Sequence, residues 1–115
     1  GINVATHPPA EEVDYPATSL SAEGAGSVTA SAALQACCAT LLDWYRRWLE
    51  EGFEPVRAAW MARAHRLGEE VAVRLEGEIA RGRFAGLNEQ GALMLECTNG
   101  RRAILAGDVL AAPAH

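Results

Sequence analysis

The feature that most constrains the fold is a run of short alternating segments in the C-terminal part of the chain. Val71, Val73 and Leu75 alternate with small or charged residues, a pattern typical of a strand with one buried face. Three further strands are predicted at 79–87, 92–97 and 101–105, and residues 107–109 close the run. The turns between them contain glycine, as in "NEQG" at 88–91 and "TNG" at 98–100. Short strands joined by such turns predict a small antiparallel barrel or meander.

Upstream of this run, the spacing of the apolar residues changes to that of helices. Apolar residues recur three or four positions apart along a helix predicted over 30–51, namely Leu34, Cys38, Leu41, Tyr45 and Trp48. Because Leu42 and Trp44 widen this apolar face, we expect the helix to be sandwiched between other elements rather than laid on a surface. A second helix is predicted over 54–67, with Pro55 in its first turn.

The two patterns divide the chain into residues 1–67 and residues 68–115. The first part begins with Gly1-Ile2-Asn3-Val4, which is typical of the end of a buried strand. A strand stub and two amphipathic helices need a surface to pack on, so we expect the sheet of this first domain to lie in chain that precedes residue 1. The predicted class is α+β, with an all-β unit after the helices.

Composition disfavours several classes of function. The 115 residues carry a net charge of −5, which argues against binding to nucleic acid or to an anionic membrane surface. No apolar run approaches the roughly 18 residues of a membrane span. All ten basic residues are arginine, so chemistry that needs a lysine amine cannot come from this chain alone. The three cysteines lack the paired spacing of a zinc site, and we assign no metal ligands.

Five motifs follow one another along nearly the whole chain. They are "GINV" at 1–4, "DYPATSL" at 14–20, "GFEPVRAAW" at 52–60, "RGRFAGLNEQGALMLE" at 81–96 and "AGDV" at 106–109. In this order they resemble the C-terminal portion of bacterial biotin–protein ligases. The resemblance implies that residues 1–67 end a catalytic domain of the class II synthetase type. It also implies that residues 68–115 form a small barrel of the Src-homology-3 (SH3) type.

The resemblance implies a reaction in two steps. Biotin and ATP give biotinyl-5′-adenylate and pyrophosphate, and the biotinyl group then passes to a lysine of a carrier domain, such as that of acetyl-CoA carboxylase. It further implies Mg²⁺-dependent use of ATP, a cytoplasmic location, and two partners, the carrier domain and the N-terminal part of the catalytic domain. A homodimer is compatible with it. The family's catalytic lysine and Gly/Arg-rich loop have no counterpart here, so we name no catalytic residue and expect the chain alone to be inactive.

Under this resemblance, Gly1, Ile2 and Asn3 match the strand that lines the biotin and adenylate pocket. Glycine lets a backbone approach a flat ligand closely, and an Asn amide can pair with an adenine edge. The alternative is that Asn3 ends a strand and bonds a nearby backbone group. We favour the ligand role.

Arg101 and Arg102 are the second set of candidate site residues. In the family the barrel is implicated in ATP and carrier contacts, and some members have a basic residue near the end of the chain. The tail here, "LAAPAH" at 110–115, contains no Lys or Arg, so Arg101 and Arg102 are the candidates for a phosphate or carrier contact. The alternative is that both are exposed strand arginines, and the same holds for Arg81 and Arg83.

Two other classes of function compete with the ligase. One is a non-catalytic interaction module of the SH3 type, which would bind a partner protein by strand addition or in a groove. The other is RNA binding, which needs clustered positive charge and exposed aromatic residues. Because residues 68–115 contain a single aromatic residue, Phe84, and the chain is acidic, we expect no nucleic-acid partner.

Overall fold

The computed structural model describes residues 1–110, and the chain divides into two compact units, Gly1–Arg46 and a second that starts at Arg47. Helix α1 spans Ala30–Glu51 and helix α2 spans Glu54–Met61. The strands are β1 (Glu70–Leu75), β2 (Glu78–Leu87), β3 (Leu93–Cys97), β4 (Gly100–Ile104) and β5 (Asp108–Leu110). The predicted α+β class is confirmed. Most of the "LAAPAH" tail, residues 111–115, lies outside the described residues.

The five strands form one antiparallel sheet in the order β4-β3-β2-β1-β5. Strands β1 to β4 follow one another as a meander, and β5 crosses back to pair with β1. Within residues 1–110, β4 and β5 do not pair with each other, so the expected SH3-type barrel is not closed. Closure would require β5 to pair with β4 along its other edge, while it stays paired with β1 at Ala72–Arg74.

The core of the second unit lies on one face of this sheet. Its buried apolar side chains are Val71, Val73, Ala80, Phe84, Leu95 and Ile104. Leu95 is fully buried and Val73 is 1% exposed. These residues alternate along their strands with exposed ones, because successive side chains of a strand point to opposite faces. The apolar alternation in the sequence therefore marked the buried face of the sheet.

Helix α2 ends at Met61, six residues before the predicted end at 67. Arg66 and Gly68 adopt left-handed backbone conformations, with φ of 63° and 85°, which a helix cannot contain. Gly68 then donates its N–H to the carbonyl of Phe84 at 2.8 Å, and Phe84 donates its N–H to the carbonyl of Glu69 at 2.8 Å. Between Met61 and this point the chain makes tighter turns, in which Arg63 and Ala64 donate their N–H groups to the carbonyls of Trp60 and Met61 at 3.0 and 3.2 Å.

Helix α2 packs against the end of β2. The indole of Trp60 meets the ring of Phe84 edge to face, with ring centroids 6.2 Å apart. Arg57 donates from Nη1 to the carbonyl of Leu87 at 2.8 Å and holds Glu54 through two further bonds of 2.7 and 3.0 Å. This bidentate pair fixes the guanidinium so that it ties the helix to the strand.

Helix α1 has well-formed ends but no buried residue. Thr29 Oγ1 accepts the N–H of Ala32 at 3.1 Å at its start, and Gly52, with φ of 81°, stops it. Leu41 is 69% exposed and Trp48 is 51% exposed. These side chains of α1 are exposed within the described residues 1–110, and the expectation that other elements sandwich the helix stays a prediction. No helix of this part has the length and apolar character needed to cross a membrane.

Gly1–Val4 does not form the predicted strand among the described residues. The carbonyls of Asn3 and Val4 instead accept the N–H groups of Leu20 and Ser21, at 3.0 and 2.9 Å. The stub therefore has backbone partners on the loop that follows it but no neighbouring strand with which to form a ladder.

Candidate functional site

The three N-terminal candidates occupy an exposed corner of the first unit. Gly1 has open space where a side chain would lie, and Ile2 is 58% exposed. Asn3 donates from Nδ2 to the carbonyl of Thr18 at 3.0 Å. This is the nearby backbone bond that the alternative interpretation of Asn3 describes. It uses one of the two amide hydrogens, and it does not involve the side-chain oxygen.

The loop that holds Asn3 is itself ordered by side-chain hydrogen bonds. Ser19 is 4% exposed, and its Oγ accepts the N–H of Ala22 at 3.3 Å and lies 3.2 Å from Nδ1 of His7. Thr18 Oγ1 donates to Glu23 at 2.6 Å. These bonds fix the Thr18 carbonyl, so the orientation of the Asn3 amide is set by the "DYPATSL" segment.

In the second unit, four charged residues form a row across the outer face of the sheet, opposite the core. Cross-strand pairing places Glu70 opposite Arg83, Arg83 opposite Glu96, and Glu96 opposite Arg101. We refer to Glu70, Arg83, Glu96 and Arg101 as the charge row. Its signs alternate from β1 to β4, so every neighbouring pair is of opposite charge.

Glu96 is the centre of two ion pairs within the charge row. Arg83 donates to one carboxylate oxygen, and Arg101 Nη2 donates to the other at 3.0 Å. The hydrogen bond from Arg83 is the main cause that lowers the pKa of Glu96, followed by the charge of Arg83, and the contact with Arg101 lowers it further. Two guanidiniums thus share one ionised carboxylate, and each keeps N–H donors that this carboxylate does not use.

A groove with a volume of about 520 Å³ lies along the outer face beside the charge row. Arg83, Glu96 and Arg101 line it together with apolar side chains that include Leu67 and Met94. The groove offers guanidinium donors next to an apolar surface, an arrangement suited to binding rather than to bond-making or bond-breaking chemistry.

The structure separates the predicted pair Arg101 and Arg102. Arg101 belongs to the charge row and its side chain is 73% exposed. Arg102 lies opposite Leu95, on the core face, where it forms an ion pair with Glu78. The hydrogen bond from Arg102 is the main cause that lowers the pKa of Glu78. Adjacent strand residues point to opposite faces, so the two arginines do not form one site.

Glu96 is a site residue that the sequence reasoning missed, and Arg83 was named there only beside Arg81 and outside the candidate set. The turn predicted at 98–100 could have indicated that Glu96 pairs with Arg101. The observed hairpin places Cys97 opposite Gly100, and this pairing sets Glu96 opposite Arg101. The pairing of Glu96 with Arg83 also depends on a register shift between Phe84 and Gly86, which the sequence does not mark.

A metal site is not formed by the part of the chain that the structure describes. No group of three or more His, Cys, Asp or Glu side chains within residues 1–110 is arranged to hold an ion. The Mg²⁺ that the resemblance implies therefore does not fit a protein cage here, and no ligand is assigned to it.

Comparison with known protein families gives two matches in chain order. Residues 2–62 match the biotin/lipoate A/B protein ligase family, and residues 67–110 match the biotin protein ligase C terminal domain. A biotin–[acetyl-CoA-carboxylase] ligase of Paracoccus denitrificans is 35% identical over 112 residues, which is 95% of this chain and 47% of that protein. The bifunctional ligase/repressor BirA of Bacillus subtilis is 29% identical over 112 residues, 34% of its length. The chain thus spans between a third and a half of these relatives.

Solved structures give the same fold. The apo biotin protein ligase from Aquifex aeolicus matches with a TM-score of 0.83 at 23% identity, over 94% of this chain and 49% of that one. The same enzyme in complex with biotin and ATP matches with a TM-score of 0.80 at 24% identity, over 94% of this chain and 46% of that one. The first family match covers more than half of the sequence, and the chain belongs to the biotin/lipoate A/B protein ligase family, with residues 67–110 matching its biotin protein ligase C-terminal domain.

Proposed function

We propose that this chain is part of a biotin–protein ligase. Such an enzyme makes biotinyl-5′-adenylate from biotin and ATP and transfers biotin to a lysine of a carrier domain, such as that of acetyl-CoA carboxylase. The observation that carries the proposal is the 35% identity to the Paracoccus denitrificans ligase over 95% of the chain, because it spans both family matches. We also propose that the protein acts in the cytoplasm, as the family resemblance implies.

In this proposal, Asn3 contacts the adenylate, and Gly1 and Ile2 line the pocket through their backbone. Support comes from the Thr18 bond, which orients the Asn3 amide without using its oxygen. Because Gly1 meets no protein atom where a side chain would lie, a flat ligand has room to approach its backbone.

For the phosphate or carrier contact, the geometry favours Arg101 over Arg102. Arg101 is well exposed, lines the groove and shares its carboxylate with Arg83. Arg102 lies on the opposite face and is held by Glu78. We therefore propose Arg101 as the contact to the carrier domain or to a phosphate, and Arg102 as a structural residue.

We further propose that the 115 residues alone are inactive, since they contain no lysine to support the reacting carboxylate and phosphate. Mg²⁺ would then be bound through ATP and residues outside this chain. In the relatives, the remaining half or more of the enzyme would supply these groups.

A chimera tests the function directly. In the Paracoccus denitrificans ligase, the matching 112-residue segment is replaced by this chain, and biotin-dependent exchange of pyrophosphate into ATP is measured. We expect exchange from the chimera and none from the isolated chain. In the chimera, Asn3→Ala should weaken exchange at least tenfold if the amide bonds the adenylate, because a buried polar contact is worth about 1.5 kcal/mol or more.

The matched control is Gln90→Ala, which removes an amide side chain from the exposed turn at 88–91. It should leave exchange unchanged. A chimera that folds, as judged by its thermal transition, yet shows no exchange would contradict the proposed function. Full activity of the isolated chain would contradict only the proposal that it is inactive.

A further inference from the structure

Strand β4 forms one edge of the sheet, and half of its backbone groups have no strand to pair with among residues 1–110. Its five residues, Gly100 to Ile104, pair with β3 on one side. In an antiparallel pair, the N–H and C=O groups of alternate residues point towards the partner and the others point away. An edge of this kind is a template for an added strand unless something blunts it.

The charge row indicates the chemistry of the strand that would be added. Glu70, Arg83, Glu96 and Arg101 alternate in sign across four strands, and the row stops at Arg101 because β4 is the edge. Arg101 has one acidic neighbour where Arg83 has two. A fifth strand position next to Arg101 would continue the alternation with a carboxylate, which would also neutralise the guanidinium that shares Glu96.

The neighbouring position on the same face favours an aliphatic side chain. Ala103 lies two residues from Arg101, opposite Met94, which lines the groove. A larger apolar residue on the added strand can pack beside this small alanine. On the core face, Arg102 already forms an ion pair with Glu78, so it does not require a carboxylate on the added strand.

We propose that the free edge of β4 binds an extended acidic segment of a partner protein, added as a further strand with a carboxylate beside Arg101 and an aliphatic residue beside Ala103. This goes beyond the ligase function, since it needs neither biotin nor ATP. Main-chain bonds to β4 provide the binding, and the ion pair with Arg101 selects the acidic segment.

A second copy of this chain meets like charges in two of the symmetric pairings. If two β4 strands paired about a two-fold axis centred on Arg102, the two Arg102 side chains would lie directly opposite each other, and with the axis centred on Arg101 the two Arg101 side chains would do so. Like charges directly opposite destabilise a strand pair, so these two registers are disfavoured. A pairing centred on Ala103 avoids this opposition but sets Arg101 opposite Leu105, whereas an acidic strand places a carboxylate there.

The test uses the full 115-residue chain and a nine-residue peptide, Thr-Val-Thr-Glu-Thr-Val-Thr-Glu-Thr, whose valines and glutamates alternate along one face. Binding is followed by amide chemical shifts and hydrogen exchange. We expect shifts centred on residues 100–104, slower exchange of alternate β4 amides, and weaker binding at higher salt. Arg101→Ala should weaken binding up to about fivefold, and the same peptide with lysine in place of glutamate should bind wild type more weakly than the acidic peptide does.

Arg81→Ala is the matched control, because Arg81 lies on the outer face of β2, away from the edge and outside the charge row. It should leave binding unchanged, and Arg101→Glu should reverse the preference in favour of the lysine peptide. The proposal is overturned by an absence of shifts at 100–104, by equal losses for Arg81→Ala and Arg101→Ala, or by concentration-dependent dimers that pair through β4 without peptide.

Discussion

Helix α1 and the β-sheet are both amphipathic, but only the sheet buries its apolar face within residues 1–110. Leu41 of α1 is 69% exposed, whereas Leu95 of β3 is fully buried. The sheet covers its own face because hairpins bring four strands around one set of side chains. A single helix cannot fold back on itself in this way, so its stripe is covered only if another surface is supplied.

This contrast places the folding stability in the sheet. Apolar burial is the main favourable term in folding, and the described chain concentrates it between Val71 and Ile104. Helix α1 has sound capping at both ends, yet most of the stability of helices in proteins comes from packing of the apolar face. The two regions should therefore respond very differently to the same kind of substitution.

The largest expected effect comes from truncating one leucine in each region. Leu95→Ala removes a fully buried side chain and should lower the free energy of unfolding by about 2–5 kcal/mol. Leu41→Ala, on the exposed stripe of α1, should change it by less than about 0.5 kcal/mol. Urea unfolding followed by tryptophan fluorescence and circular dichroism measures both. Similar losses for the two variants would show that α1 is covered in solution and would remove the contrast.

A smaller effect is expected from adding a methyl group to one glycine of each unit. Gly82→Ala places a Cβ 2.7 Å from the carbonyl oxygen of Glu96, and the backbone of β3 would have to move. We expect a loss of about 1–3 kcal/mol in the free energy of unfolding. Gly26→Ala meets only Ser21 Oγ at 3.5 Å, an ordinary contact, and should be neutral or slightly stabilising. Thermal unfolding measures both variants. Equal shifts of the two midpoints would contradict the close packing of β2 against β3 at Gly82.

The sequence predicted the elements of the sheet well and its faces less well. The alternation of Val71, Val73 and Leu75 and the glycine turns located the first four strands to within one or two residues. The fourth strand was predicted at 101–105 and lies at Gly100–Ile104. Because adjacent strand residues point to opposite faces, a strand at 101–105 already implied that Arg101 and Arg102 are separated. A shift of one residue in pairing exchanges the two faces, so the sequence could not show which of the two arginines lies on the outer face.

For the helices, the sequence predicted where they lie, but not what covers α1 or where α2 ends. Periodicity located both of them, and the start and end of α1 agree with the prediction. The expectation that α1 is sandwiched stays a prediction, because amphipathicity shows which face can be buried and not which surface covers it. The end of α2 was missed because the turns directly after Met61, at 62–64, contain no glycine or proline to mark them. The role of Asn3 stays a prediction, since a local bond and a ligand contact use different atoms of the same amide.

The smallest effect is expected from pH, and it should arise from carboxylates of the second unit that pair with arginine. The hydrogen bond from Arg57 also lowers the pKa of Glu54 in α2, and two further carboxylates lie in the sheet. Ion pairs with Arg83 and Arg102 lower the pKa of Glu96 and Glu78 in the folded protein below their ordinary value of 4.5. A carboxyl whose folded pKa is lowered stabilises the protein above its unfolded pKa and loses that contribution as the pH falls through the folded pKa. Stability should therefore decline slightly below about pH 4.5, and less at high salt because both pairs are exposed. Glu96→Gln and Glu78→Gln should each flatten this decline in urea unfolding between pH 6 and pH 3. If neither variant changes the slope, the ion pairs do not persist in solution, and the stability of the sheet rests on its apolar face alone.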